Sequence, residues 1–580
     1  MDDKPDADRA TPSFRARDAF AIISIMLVAA VLRLYRIRDT GILSVDEGRY
    51  LLDGYAVSQE FSTYIAILAG KFNEIRTGMP FHLSDLIHLS DGRLREVAPF
   101  FPKVLYSWCI ALLSLVVGFK PWLGNAVEAT FGVATIGLLF GFAQKLWNKN
   151  VAYIAALLLT CSPYHVFYSR NAYPQSIAVF FFIAACWLHL ESLRTAQSRF
   201  RSLSFHTFTG IACGLAFAAN YQVSGALPAL ALIHFVTSMT THGQLQKSSR
   251  LWCGVLAMLA GFLAPLILFE LSTYPLILMF RSEGMPFPHP TFLELLSPRV
   301  SSHASMPFNA TGLVLYPYFL WRFDRLLPLL FVVAAVAIGV RRKDQQTSMA
   351  SPSYSNPNAI IYVTILFLVP WLLFSTKTIQ GARMFSFSHP FFYLFTAWMI
   401  DTAARRVLVR GWRFQYAALL TIVVVALALP GLREVLAIRA GWPEVIAHVK
   451  STPRVSTYAS FSSVLEVYLR SEDLPGGNFY LSPSRVQELK WYFVAADMQE
   501  LYDKRYPDES PALIGAGPRA SFRHEISRLY IETEFLAGSG NTLENIRAIR
   551  AIDTERAKLI WVAPANAPAV ETEAPVTAPQ

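Results

Sequence analysis

Charge is what this 580-residue chain has least of: 16% of its residues are Asp, Glu, Lys or Arg, against about 25% in an ordinary soluble domain. With 53% of residues hydrophobic, that balance excludes both a soluble globule and a disordered chain. Cysteine is scarce too. Cys109, Cys161, Cys186, Cys213 and Cys253 lie in apolar stretches and never at CxxC spacing, which argues against structural zinc and a disulfide framework. Internal repeats, a phosphate-cradling glycine loop, HExxH and GxSxG are all missing, so metalloprotease and serine-hydrolase readings have no support.

What is present is apolar length. A bilayer core of about 30 Å takes roughly 20 apolar residues as helix. Eleven runs qualify, near 19–37, 126–146, 151–169, 174–191, 206–220, 222–238, 251–272, 326–340, 359–375, 384–401 and 415–430. Because many runs follow the first, it reads as a retained span rather than a cleaved signal. A twelfth stretch, Val104 to Phe119, decides the sidedness of everything after it. If it does not cross, the clusters Lys145/Lys149, Arg194/Arg199/Arg201, Lys247/Arg250, Arg341/Arg342/Lys343 and Arg405/Arg406/Arg410/Arg413 share the side of the basic N-terminus, as the positive-inside tendency requires. It therefore reads as a helix lying at, or re-entering, the outer surface.

The net charge of +10 supports this division, since residues 432–580 hold 16 basic and 19 acidic groups and the preceding 431 hold 35 and 22. The excess belongs to the hydrophobic part and marks cytoplasmic loops, not a nucleic-acid surface. The expected organisation is a cytoplasmic tail (1–18), a membrane module (19–430) with outer loops 38–125 and 273–325, an extracytoplasmic α/β domain (431–564) and a disordered Ala/Pro/Glu/Thr tail (565–580). In the C-terminal part, Trp442 to Val449, Ser462 to Leu469 and Ser484 to Tyr502 carry amphipathic helical patterns, while Val455 to Ala459 and Leu559 to Val562 look like strands.

Four outer-face groups could carry chemistry. Asp46 and Glu47, in Ser44-Val45-Asp46-Glu47-Gly48-Arg49-Tyr50, form a carboxylate pair about ten residues past the membrane edge; they are either a solvated loop or the source of a general base toward a hydroxyl. Lys103 opens the surface helix, where it could meet a phosphate or simply snorkel to the interface. Arg170, in Ser169-Arg170-Asn171-Ala172-Tyr173-Pro174-Gln175, faces either headgroups or an anion that suits its fork. Lys377 and Arg383, in the segment running to His389-Pro390, sit where the positive-inside tendency does not want them. Glu128, His165, His189, Glu191 and Glu270, near span ends, read as structural.

In their order and common sidedness these features resemble the GT-C membrane glycosyltransferases, in the branch of the protein O-mannosyltransferases, the lipid A aminoarabinose transferases and related bacterial sugar transferases of lipopolysaccharide assembly. The resemblance covers roughly residues 15–401. It implies a polytopic α-helical membrane protein of about 11 spans in the bacterial inner membrane, with its active site and C-terminal α/β domain extracytoplasmic. It implies a polyprenyl-phosphate sugar donor, a lipid, glycan or protein acceptor, no nucleic-acid partner, and transfer with inversion. Asp46 would be the base, Glu47 would shape the site, Arg49 and Tyr50 would complete the motif, and Lys103, Arg170, Lys377 and Arg383 would face the donor phosphate. Gln175 stands where the mannosyltransferases carry an acid and Met384 where a tyrosine is usual; an amide is a poor ligand for a hard cation. No cofactor or metal site is implied, with a divalent ion left open. Two other readings are a transporter or lipid flippase and a non-catalytic relative. A transporter would tend to show repeat symmetry and midplane binding groups.

Overall fold

The structure, a computed structural model, describes residues 16–77, 103–195, 198–241, 244–282, 297, 312–325, 357–375, 382–407, 413–451, 457–459, 462–472, 491–495, 520–523 and 559–564. Among these, six helices are long and apolar enough to cross a membrane, and the protein is an integral membrane protein. The expected span 326–340, Lys377, most of the outer segment 273–325 and the 565–580 tail lie outside the described residues.

The helices named below are α1 (Ala16–Leu34), α2 (Ile37–Thr40), α3 (Val45–Thr77), α4 (Val104–Val117), α5 (Leu123–Leu146), α6 (Lys149–Cys161), α7 (Pro163–Tyr168), α8 (Gln175–Arg194), α9 (Arg199–Ala219), α10 (Leu227–Thr241), α11 (Gln244–Ser282), α12 (Gly312–Asp324), α13 (Pro357–Ser375), α14 (His389–Val407) and α15 (Arg413–Leu436). In α5, α8 and α9 over half of the apolar window is buried, against 17% in the first span and 28% in α11. The first three therefore build the interior. On α1, α11 and α15, Leu27, Val31, Leu256, Leu268 and Ile422 are exposed, forming an apolar exterior that suits lipid. Where α9 crosses α11 the backbones touch: a Cβ on Gly210 would lie 2.0 Å from the Met258 carbonyl oxygen, and one on Gly261 2.1 Å from that of Thr207. Gly210 and Gly214 form the GxxxG spacing that permits such an approach.

Several boundaries depart from the sequence expectation. The 151–169 run is not one helix. Ser162 before Pro163 is driven to extended backbone (ψ 117°), ending α6, and its Oγ then accepts the His165 N–H to start α7. The 384–401 run opens instead as a 3₁₀ turn, Ala382–Phe387, and becomes α-helical at His389, beside Pro390. A 3₁₀ turn, Tyr221–Gly225, likewise precedes α10. In the segment 38–125, expected on the outer side, the described residues are largely helical and include α3, 33 residues long. Helix α4, expected at the membrane surface, has 14 residues, about 21 Å, with Leu112, Val116 and Val117 outward and Tyr106, Ile110 and Ala111 inward.

Beyond α15 come α16 (Trp442–Ser451), β1 (Thr457–Ala459), α17 (Ser462–Ser471), β2 (Trp491–Ala495), β3 (Ala520–Arg523) and β4 (Leu559–Pro564). The strands form one sheet in the order β1-β2-β4-β3, with β1 and β2 parallel and the other pairs antiparallel. The expected helix across Ser484 to Tyr502 is corrected, because Trp491-Tyr492-Phe493-Val494, aromatic and β-branched, pairs on both sides as a strand. This region touches the membrane module beside Asp46: the Tyr468 hydroxyl accepts the Ile42 N–H at 3.3 Å, and the Ala440 N–H donates to the Asp39 carbonyl at 3.1 Å. Gly41 fits beneath them at φ +61° with no room for a Cβ, which would meet Tyr468 Oη at 2.4 Å.

Candidate active site

The Asp46-Glu47 pair is divided by the start of α3. Ser44 is the cap. Its Oγ accepts the Glu47 N–H at 3.2 Å, and the Glu47 carboxylate turns back to accept the Leu43 N–H at 2.8 Å. This is a variant of the capping box: the N-cap hydroxyl takes the N–H three residues on, and the glutamate there reaches back past the cap to the N–H of the residue before it. Glu47 is fully buried. Asp46 keeps 38% of its side chain exposed and meets Arg383 at 2.9 Å through Oδ2.

Around that ion pair the chain brings together residues far apart in sequence. Arg383 sits on the 382–387 turn with its guanidinium over the Tyr173 ring, 5.3 Å from the centroid. The Tyr173 hydroxyl donates to Ser44 Oγ at 2.7 Å, so the ring beneath Arg383 also braces the cap of α3. Lys103, buried where α4 begins, places Nζ 3.7 Å from the centroid of Tyr50. Burial would raise the Asp46 carboxyl, but the charge and hydrogen bond of Arg383, then the charges of Lys103 and Arg49, outweigh it and hold the carboxyl below its ordinary value. Its place in the first helical turn acts in the same direction.

Arg383's turn is itself anchored. The Tyr164 hydroxyl donates to the Ala382 carbonyl and lies 3.1 Å from Ser386 Oγ. At its far end His389 Nε2 lies 2.9 Å from Asp324 Oδ2, and Ser162 Oγ donates to Asp324 Oδ1 at 3.0 Å. This buried serine, histidine and aspartate are not a hydrolytic triad, because one imidazole nitrogen, Nε2, faces both Asp324 at 2.9 Å and Ser162 Oγ at 3.4 Å, whereas a triad histidine meets its serine and its aspartate through opposite nitrogens.

Two sequence candidates lie elsewhere. Arg170 turns away from Asp46 to donate to the carbonyls of Leu32, Arg33 and Tyr35 and to Thr40 Oγ1, closing the C-terminal end of α1. Gln175 is buried at the start of α8 and donates through Nε2 to Gln222 Oε1 at 3.3 Å. Glu128 accepts the Ser176 N–H at 2.5 Å, a helix-capping role that fits its structural reading.

Residues 102–268 match a family model described as dolichyl-phosphate-mannose-protein mannosyltransferase. YkcB of Bacillus subtilis (strain 168), named as a mannosyltransferase, is 24% identical over 140 residues; the match covers 24% of this chain and 19% of that protein. The chain thus spans about a fifth of that relative's length. ArnT from Cupriavidus metallidurans bound to undecaprenyl phosphate superposes with a TM-score of 0.51 at 13% identity, covering 97% of this chain and 99% of that one. The chain has the GT-C fold. An oligosaccharyltransferase from Archaeoglobus fulgidus in the apo form gives a TM-score of 0.48 at 12% identity, covering 89% and 77%.

Within this GT-C fold, sequence reasoning missed Tyr173, whose ring and hydroxyl tie Arg383 to Ser44, and Arg33, which donates to the carbonyls of Leu159 and Thr160 at the end of α6. Nothing local marks either residue. The capping box had a local signal, Ser44-x-x-Glu47. Glu47→Ala is expected to cost about 1–3 kcal/mol, since it orphans the buried Leu43 N–H. Thermal unfolding in detergent checks this; an unchanged midpoint would refute the capping role.

Proposed function

We propose that the protein transfers a sugar from a polyprenyl-phosphate-linked donor to an acceptor hydroxyl or similar nucleophile on a lipid, glycan or protein, with inversion. One observation carries the reading: the partly exposed carboxylate of Asp46 lies in the field of Arg383, Lys103 and Arg49, gathered from three separate segments. In the proposed step the acceptor O–H gives its proton to Asp46. The acceptor oxygen bonds to the anomeric carbon, and the sugar–phosphate bond breaks with its electron pair leaving on the phosphate. Fixed cations stabilise that leaving group without a proton donor. The ArnT structure holds undecaprenyl phosphate, and a donor of that class suits three basic side chains beside a carboxylate. Glu47 serves as the cap that aims Asp46, and Tyr50 and Tyr173 hold Lys103 and Arg383. The sheet β1 to β4 with α16 and α17 belongs to an extracytoplasmic α/β domain that seats on the 39–44 segment, about 11 spans make up the membrane module, and the membrane is the bacterial inner membrane.

The test is donor consumption by the full chain in lipid bilayers, using radiolabelled polyprenyl-phosphate sugars and an extract of envelope lipids and glycans as acceptor. Loss of lipid-linked label with release of polyprenyl phosphate is expected. Donor that crosses the bilayer uncleaved would overturn the reading in favour of transport.

Arg383 supplies a pH signature. Its charge is the main influence lowering the Asp46 carboxyl against burial. Arg383→Gln removes that influence while burial remains, so the carboxyl rises and the acid limb of the rate profile moves to higher pH. An acid limb that stays in place, measured as kcat against pH, would exclude Asp46 as the titrating base.

A further inference from the structure

His189 on α8 was expected to be structural, and His206 on α9 and His234 on α10 carry no mark in the sequence, yet the fold gathers the three into one buried cluster. One ring nitrogen of each lies within 4.8 Å of the other two. The cluster is separate from the Asp46 site: α8 starts two residues after Tyr173, whose ring carries Arg383, and His189 lies 14 residues further along it, about 21 Å at the helical rise.

The hydrogen bonds around the rings assign their protons. The Tyr362 hydroxyl donates to the Cys186 carbonyl at 2.8 Å, so its oxygen receives a hydrogen bond from His189 Nδ1, 3.2 Å away. His189 Nδ1 therefore carries the proton and Nε2 presents a lone pair. His234 Nε2 faces the Leu251 carbonyl at 3.4 Å; a carbonyl only accepts, so this nitrogen carries the proton and Nδ1 presents a lone pair. His189 Nε2 and His234 Nδ1 face each other at 3.3 Å. Two lone pairs aimed at one another inside a protein repel unless a cation lies between them. The third ring adds to the demand, for His206 is buried and its Nδ1 has no hydrogen-bond partner among the described residues.

We infer that His189, His206 and His234 form a binding site for one transition-metal ion of the zinc class, with three imidazole ligands and a fourth position open to water. Tetrahedral zinc with Zn–N bonds of 2.0–2.1 Å places its ligand nitrogens about 3.3 Å apart, the spacing already present between His189 and His234. Tyr362 supplies the outer hydrogen bond that metal-bound histidines ordinarily make, orienting the ring and selecting its tautomer. The frame is stiff, because the α9–α11 crossing at Gly210 and Gly261 holds His206 in place one turn away. Gly254 makes the space: a Cβ there would lie 2.8 Å from His234 Nε2 and 3.2 Å from His206 Nε2. Neutral imidazole suits zinc, copper and nickel and discriminates against magnesium and calcium.

The test uses the full chain, purified through a tag other than polyhistidine, stripped with a chelator in lipid nanodiscs and titrated with Zn²⁺ or Co²⁺. One Zn²⁺ per chain should survive gel filtration, and the Co²⁺ form should show the visible absorption of four-coordinate cobalt. His206→Ala and His234→Ala should weaken zinc binding by about 100-fold or more, beyond the 10–100-fold typical of losing an outer-shell partner. His234→Cys preserves a ligand and should add a sulfur-to-cobalt charge-transfer band, which keeps the test decisive if an alanine variant does not fold. Folded wild-type protein that retains no zinc, alanine variants that retain as much as wild type, or a cysteine variant without the band would each overturn the site.

Discussion

Asp46→Asn should lower transfer by about 10²–10⁴-fold, the range expected when a positioned general base is lost, while leaving the fold intact. The carboxylate is 38% exposed and paired with Arg383 at 2.9 Å, and a partly exposed ion pair contributes at most about 1 kcal/mol to stability. Asparagine preserves the shape but accepts no proton at neutral pH. The loss should therefore fall on kcat, with KM for the lipid-linked donor little changed, because Lys103, Arg49 and Arg383 remain to receive its phosphate. Glu47→Gln is the informative companion: its carboxylate faces the Leu43 N–H and not the outside, so it should lower the unfolding temperature more than kcat. Wild-type turnover by Asp46→Asn, with an unchanged melting curve, would remove Asp46 from the mechanism.

Arg170→Lys is expected to be the more damaging change for folding, by about 1–3 kcal/mol for each buried acceptor left without its donor. Arg170 is 1% exposed. Its fork serves the carbonyls of Tyr35 at 2.7 Å, Leu32 at 3.1 Å and Arg33 at 3.3 Å, and Thr40 Oγ1 at 2.9 Å. Carbonyls at the end of a helix have no partner within it, and these are buried at Arg33 and part-buried at Leu32 and Tyr35. Burial lowers the Arg170 pKa to about 10, leaving it charged at neutral pH. A lysine ammonium cannot span four acceptors divided between the two terminal nitrogens of a planar fork. Expression yield and thermal unfolding in detergent measure the loss. A variant that unfolds like wild type but needs more donor for half-maximal rate would restore Arg170 to the phosphate site.

Arg170 and Arg383 looked equivalent in sequence, each an arginine at the outer end of a span in a Ser- and aromatic-rich segment. One is consumed by backbone carbonyls of α1 and the other reaches Asp46 across 337 positions. Ser162-Pro163 and Ser44-x-x-Glu47 were local signals that could have been used, since a helix start is written in three or four adjacent residues. His189, His206 and His234, by contrast, are separated by whole helices, and no local pattern marks them as neighbours.

By itself the sequence determined the membrane environment, the six long apolar helices among the described residues, the likeness to the GT-C glycosyltransferases and the short list of charges from which a site could be built. Apolar length and charge sidedness are properties of consecutive residues, so they survive without coordinates. Only the tertiary structure decided that Asp46 and not Glu47 meets the cations, that Arg383 and not Arg170 is its partner, and that three histidines share one buried point. The physical reason is reach. A charged or imidazole side chain takes whichever acceptor lies within about 3 Å, and in this protein that acceptor comes from a segment tens to hundreds of residues away.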